Sequence, residues 1–468
     1  MVGIDLEIFT PMNANDTPSK RRYALEAFAD SIGDTPTTAD PKTLALKSRD
    51  FYWFSPILKR QLQGTAADLV VSPRNETDVI RVAGAAAKYR IPLTIRGGGT
   101  GNYGQCMPVQ GGVVLDMASL DTIEWCRTAL LRVGAGRRLS SIDEETRKDG
   151  YELRMHPSTK RMATIGGFAA GGSGGVGSVT YGGLRELGNI MGARVISIEE
   201  NPRAFELKGD AALKICHAWG TTGIVTVLEM PLAPAYSYID MIVAFDAFPD
   251  AVRFGYELGR ADGVDKKLVT ALAWPIPSYF EAFEAHCPKS KAIVLTMIAE
   301  QSVEPFLSLA SAQRGEVTYR QATDESLGAR PLYEYSWNHT TLHAMKADKD
   351  LTYMQALYPS SGFIEKAAEI SALFSPNELL QHFEFIRYAG EPGAAGIHVV
   401  KFTSEERLAE INQTMRDRGI SIADAHAWVL EDSGGYKSAD TDLMKFKREV
   451  DPFGICNPGK MRTYVPVR

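Results

Sequence analysis

HPSTKRMATIGGFAAGGSGGVGSVTYGG, residues 156–183, holds Gly166, Gly167, Gly171, Gly172, Gly174, Gly175 and Gly177 in one stretch. Core packing offers no reason for so many residues without side chains. A flat or extended ligand lying against bare backbone does. Three shorter pieces share this character: RGGGTGNYGQ (96–105), GTTGIVTVLEMPL (220–232) and Asn457-Pro458-Gly459-Lys460. The first of them contains GxGxxG as Gly99, Gly101 and Gly104, but a dinucleotide fingerprint needs a helix directly after it. The chain instead continues as QCMPVQGGVVLDM (105–117), with Pro108, Gly111, Gly112 and then a strand. No Lys-Ser/Thr pair closes a phosphate loop either. Successive glycines still turn several N–H groups inward as an anion nest, so Gly97–Tyr103 suits a diphosphate. A bare glycine turn reads the same residues without a ligand.

Outward from these motifs, AADLVVSP (66–73) reads as a strand. Asn75 then caps a helix that turns Val79, Val82, Ala83 and Ala86 to one face. IPLTIR (91–96) and GGVVLDM (111–117) are further strands, and this β-α-β start indicates a mixed α/β arrangement. Residues 1–45 are polar and read as a loosely held arm with a short helix around Arg22–Ser31. The prolines of LEMPLAPA (228–235) mark a boundary. From 236 to 425 there are longer apolar elements, more aromatics and most of the histidines, before Gly/Pro chemistry returns at DPFGICNPGKM (451–461).

The 468 residues are 44% hydrophobic and 23% charged, which is ordinary globular composition for two or three structural units. With 51 Lys+Arg against 57 Asp+Glu there is no basic stripe for a phosphate backbone, so nucleic acid is not an expected partner. The five cysteines form no CxxC pair, which speaks against a disulfide framework or zinc knuckle and for reduced thiols in a cytoplasm. The N-terminus lacks the unbroken apolar core of a signal peptide, and no apolar run is long enough to span a membrane. The expectation is a cytoplasmic protein without a membrane span.

The four glycine motifs, in this order and spacing, resemble the p-cresol methylhydroxylase/vanillyl-alcohol oxidase (PCMH-type) superfamily of FAD-linked oxidoreductases. Within it the chain is most similar to the branch of the glycolate oxidase FAD subunit and the D-lactate dehydrogenases. The resemblance is strong over about 60–235, good over 445–461 and weak between. It implies an α+β fold: a two-subdomain FAD-binding domain (46–235) after the arm, an α+β cap or substrate domain with an antiparallel sheet (236–425), and a C-terminal return segment (426–468) completing the FAD site. Carried over by position, Arg96, Gly97, Gly98, Gly99, Thr100, Gly101, Asn102 and Tyr103 wrap the FAD diphosphate. Pro157, Ser158, Thr164, Ile165, Gly166, Gly167, Gly172, Ser173 and Gly177 line the flavin and ribityl chain. Gly223 and Val225 lie by the adenine, while Asn457 and Lys460 close on the flavin from the tail. Some members attach FAD through a His in the first loop or a Cys in the second. Thr100 and the TIGG segment offer neither, and His156 is the only nearby candidate, so FAD is expected to be non-covalent.

On the substrate side, oxidation by a flavin needs a base for the hydroxyl proton and a charge to orient the substrate. YEYSWNHTTLHAMK (333–346), begun as a strand, puts Tyr333, Tyr335 and Trp337 on one face with His339 continuing it; an aromatic core stripe fits equally. ELLQHFEFIRYAGEPGAAGIHVVKF (378–402) reads as a strand pair in which His382 and Glu384 give a polar face, either pocket-lining or solvated. The metal-dependent members' Gly-His-x-Gly-Asp-Gly-Asn-x-His run survives only as His398 and their Glu-His only as His426, so no catalytic metal is expected. The candidates are therefore His426 or His339 as base and Arg387 as the partner of a substrate carboxylate, with Tyr335 and His382 as further catalytic candidates. The expected reaction is hydride transfer from a 2-hydroxy acid or related alcohol to flavin N5. The alternatives are an aromatic-alcohol or phenol oxidase, or an FAD-carrying electron-transfer subunit. The electron acceptor (oxygen, a quinone or a partner protein) stays open, as does assembly as a homodimer.

Overall fold

The computed structural model describes residues 23–433 and 441–466. The part of the expected arm before Tyr23 lies outside them. The described part is not loosely held: helix Leu25–Ser31 buries Phe28, and Phe28 and Ile32 pack among Val79, Val82 and Ala83. Thr37–Thr38 pairs with Leu69–Val71, and Asp40 caps helix Pro41–Lys47.

Three sheets carry the described residues. The first orders Thr37–Thr38, Leu69–Val71, Val113–Asp116 and Leu93–Arg96, the last three parallel. Helix Glu76–Tyr89 joins two of these parallel strands. Its cap is the Asn75 side chain accepting from the Asp78 N–H, and Val79, Val82, Ala83 and Ala86 form the buried face that the spacing predicts. The second sheet has six antiparallel strands built around the long Ile224–Pro234. Arg132 holds this sheet's polar face, paired with Glu229 at 2.8 Å, Glu124 at 2.7 Å and Glu206 at 3.1 Å.

The third sheet has nine antiparallel strands, drawn from residues between Tyr238 and Ala423. Strand Tyr238–Phe245 shows why it is so apolar. Met241, Val243 and Phe245 face a core shared with helices Phe248–Arg260 and Val303–Ala312, while Ile242 and Ala244 face a second core around Phe280 and Tyr335. The expected strand pair is the hairpin His382–Tyr388 and Glu391–Lys401, with Phe383 opposite Gly396. Helix Phe248–Arg260 approaches it so closely that a Cβ on Gly255 would lie 2.1 Å from the Phe385 ring. Mixed helices and antiparallel sheets thus form the expected α+β fold. No helix among the described residues is long and apolar enough to cross a membrane.

The third sheet is joined to the glycine-rich part through buried charge. Lys160 Nζ sits 2.8 Å from Asp143 and 2.6 Å from Glu325, and Lys267 Nζ sits 2.7 Å from Glu152, which also accepts from the Tyr238 hydroxyl at 2.7 Å. The Gly177 N–H donates to the Lys267 carbonyl at 2.7 Å.

Overpacking a filled core costs about 1–3 kcal/mol. Gly255→Ala is therefore expected to lower the denaturant midpoint, whereas Gly263→Ala, with nothing within 4 Å of its added carbon, leaves it unchanged. Equilibrium unfolding of both variants checks this.

Candidate active site

A cavity of about 520 Å³ lies between the glycine segments and the third sheet. That volume is in the range of small-molecule and cofactor sites. The glycine side is lined by Gly97–Tyr103, Pro157, Ser158, Thr164, Gly166, Gly167, Gly172, Ser173, Gly223 and Val225. These expected cofactor residues, far apart in sequence, share one wall.

Only some of the glycines are there for a ligand. A Cβ on Gly97 would lie 2.1 Å from Thr164 Oγ1 and one on Gly98 2.3 Å from the Met162 carbonyl oxygen. On Gly172 it would meet the His217 nitrogen at 2.2 Å, and on Gly175 the His156 carbonyl oxygen at 2.3 Å. Gly98, Gly172 and Gly175 let backbone meet backbone and Gly97 makes room for the Thr164 side chain, so close packing of the protein on itself accounts for much of the run, contrary to the expectation that core packing gives no reason for it. Gly171, by contrast, has nothing nearer than Gln105 Nε2 at 4.0 Å, and Gly167 only Thr164 Oγ1 at 3.1 Å; both line the cavity. A ligand pressed against this wall meets bare backbone.

Five expected cofactor residues stand off the wall. Ile165 is buried in the second sheet's core just after the Thr164 cap, and Gly177 is spent on its bond to Lys267. Arg96, Asn457 and Lys460 support the first loop from behind. Arg96 Nη1 donates to the Arg49 and Lys47 carbonyls at 2.6 and 3.1 Å, its guanidinium filling the space where a Gly99 Cβ would go. Asn457 Nδ2 donates to the carbonyls of Gln105 and Trp219 at 2.7 and 2.6 Å, and Lys460 Nζ donates to the Gly104 carbonyl. Burial pushes Lys460 down and Asp50 up, each opposed by the other's charge. Arg96 and Lys460, set against the single carboxyl of Asp50, leave more positive than negative groups behind the loop, which favours an anion in front of it.

The opposite wall is built by Trp337, Asn338, His339, Gln355, Ile386 and Arg387, with Ala395 and Ile397. Trp337 precedes helix Asn338–Ala347, so the first helical turn delivers Asn338 and His339. The 333–346 segment is therefore not a strand. Leu332–Tyr335 is a 3₁₀ turn, and Tyr335 packs with Phe280, Phe283 and His343 away from the cavity. Of the aromatic trio only Trp337 reaches the cavity. Burial lowers the His339 imidazole to about 4, leaving it neutral at physiological pH. Arg387 shares its guanidinium with exposed Asp262 and with the Gly390 carbonyl at 3.4 Å.

His426 and His382 are elsewhere. His426 accepts at Nδ1 from Ser55 Oγ at 2.7 Å and donates from Nε2 to the Tyr353 carbonyl at 2.8 Å, so both ring nitrogens are engaged. His382 lies fully buried, 2.8 Å from Glu384. His398 is buried too, 2.9 Å from the Tyr358 hydroxyl. Sequence reasoning missed Arg185 and Glu186 on the cavity, although YGGLRE directly succeeds the glycine run, and missed Tyr103's bond to Gln355 across it. It also missed Cys106 on the lining, whose thiol burial pushes up to about 12.

Buried neutral histidines set an acid limit. His339 and His343 are both lowered to about 4 from the ordinary 6.5 by burial, so the unfolded chain takes up the proton first. Their contribution to stability is complete above pH about 6.5 and is lost as pH falls through about 4. Urea midpoints are expected to drop across this window and to drop less in a His339→Asn/His343→Gln double variant.

Comparison with known proteins bears on the cofactor and the fold. Residues 67–199 match the family described as FAD binding domain. Glycolate oxidase subunit GlcD of Bacillus subtilis is 25% identical over 84% of this chain and 88% of its own length. A D-lactate dehydrogenase of Archaeoglobus fulgidus is 26% identical, but over 41% of this chain, which spans 45% of that relative. Among solved structures, an alkyldihydroxyacetonephosphate synthase aligns over 98% of this chain and 90% of its own at a TM-score of 0.69 and 15% identity, a likeness of fold.

Proposed function

We propose that this chain, an FAD-linked oxidoreductase with a PCMH-type FAD-binding domain, oxidises a 2-hydroxy acid in the cavity between its glycine segments and its antiparallel sheet. The observation that carries the reading is the facing of two walls: bare glycine backbone on one side, and His339 with Arg387 on the other. Bound FAD supplies the acceptor for the hydride leaving the substrate carbon. Gly97–Tyr103 would hold its diphosphate by backbone N–H groups, with Arg96 and Lys460 behind them, and Gly167 and Gly171 would offer it bare backbone.

Arg387 orients the substrate by pairing with its carboxylate. Its partner Asp262 is 82% exposed, and such surface pairs are worth at most about 1 kcal/mol, so a substrate carboxylate displaces it at little cost. Arg185 adds a second cation to the same cavity. His339, neutral and on the cavity wall, takes the hydroxyl proton. His426 is left out of the reaction because both of its ring nitrogens serve Ser55 and Tyr353. The aromatic-alcohol reading loses support with Tyr333 and Tyr335 withdrawn into the core. FAD is held non-covalently: His156 faces Tyr333 rather than the cavity, and the half-buried Cys106 thiol, pushed up to about 12, stays protonated.

Acid precipitation is expected to leave the yellow colour in the supernatant; colour retained in the pellet means a covalent bond. In anaerobic stopped-flow mixing with D-lactate or glycolate, His339→Ala is expected to slow flavin reduction about 10²–10⁴-fold with FAD content unchanged, while His426→Gln stays near wild type. An unaffected His339→Ala rate removes His339 from the mechanism.

A further inference from the structure

Glu384 is 1% exposed, on the strand that brings Ile386 and Arg387 to the cavity, yet it does not line the cavity itself. Three donors converge on its carboxylate. The backbone N–H of Trp337 donates to Oε1 at 2.5 Å, His382 Nε2 donates to the same oxygen at 2.8 Å, and Thr270 Oγ1 donates to Oε2 at 2.6 Å. His382 thus carries its proton on Nε2, and its Nδ1 has no partner.

Trp337 needs such a hold. It sits at φ 52°, ψ −140°, a conformation that non-glycine residues rarely adopt, and its ring lies where a Gly174 Cβ would be, 2.8 Å away. Helix Asn338–Ala347 starts at this residue without a side-chain cap of its own. The carboxylate therefore fixes the strained residue from which Asn338 and His339 are projected, and its negative charge lies at the end of the helix that favours one.

The geometry points to Glu384 as a positioning residue: by accepting the Trp337 N–H it sets the direction in which His339 and Trp337 enter the cavity, with His382 and Thr270 fixing the carboxylate in turn. The role in turnover rests on the proposed oxidation of a hydroxy acid; the role in placing the helix does not. A buried hydrogen bond to a charged group is strong and, once lost, leaves an unpaired donor.

The test uses FAD-loaded enzyme carrying Glu384→Asp, which keeps the charge but draws it back from Trp337, and Glu384→Gln, which keeps the length and an acceptor oxygen. Hydrogen exchange at the Trp337 amide is expected to accelerate at least about tenfold in E384D and to stay near wild type in E384Q. With D-lactate as reductant, E384D is expected to lose about tenfold or more in the limiting rate of flavin reduction with little change in half-saturating concentration, and E384Q to recover most of it. Unchanged Trp337 exchange in E384D overturns the proposal. So does a rate loss in E384Q with E384D near wild type, which would make charge alone responsible. If wild type is not reduced by D-lactate or glycolate while Trp337 exchange responds as expected, the hydroxy-acid reading falls and the positioning role stands.

Discussion

The cavity depends on backbone lying against backbone. Gly97 and Gly98 meet Thr164 and Met162 at distances that admit no Cβ, and Gly172 and Gly175 meet His217 and His156 in the same way. These contacts bring the first glycine loop, from the parallel sheet, onto a segment belonging to the antiparallel one. The wall that results has stretches of bare main chain at Gly97–Gly99, Gly166–Gly167 and Gly171–Gly172 set among larger side chains such as Tyr103 and Trp219. Such stretches of exposed backbone suit an extended anionic ligand.

The other wall is placed by electrostatics rather than by glycine. Lys160 bridges buried Asp143 to exposed Glu325, and Lys267 joins Glu152 in the interior, so the nine-stranded sheet is tied to the glycine-rich part by ion pairs. Removing one partner of the Lys160–Asp143 or Lys267–Glu152 pair would strand the other in a poorly solvated place. Such pairs fix geometry more than they add stability. Arg161, reaching the Ser326 and Ala329 carbonyls at 3.3 and 3.0 Å, continues the seam.

This division explains what was legible in the sequence. The glycine wall could be read because its constraint is local and leaves a compositional trace: a run of glycines is visible without knowing what it touches. The helix at Glu76–Tyr89 and the hairpin at His382–Lys401 were legible for a like reason, since their periodicities lie within a few residues. The facing wall is assembled from Trp337–His339, Gln355, Ile386–Arg387 and Ala395–Ile397, and nothing in any one segment announces the others. Histidines were a poor guide there. His426 and His382 look like catalytic groups in a string of letters, but both ring nitrogens of His426 are committed to Ser55 and Tyr353, and His382 Nε2 is committed to buried Glu384. The glycine run was also over-read, because part of it answers to the protein's own close packing.

The staple at Asn457 sets an order of events in synthesis. Its side chain ties Gln105 to Trp219, and the Gln105 contact spans 352 positions. Lys460 reaches the same loop at Gly104 across 356. Contacts so distant in sequence come late in folding, because the intervening chain must first be closed into a loop. A ribosome that has made both glycine segments and the whole nine-stranded sheet has therefore not yet made the side chains that brace the first loop. Gly104 and Gln105 gain their support from behind only once residues 457–460 are in place.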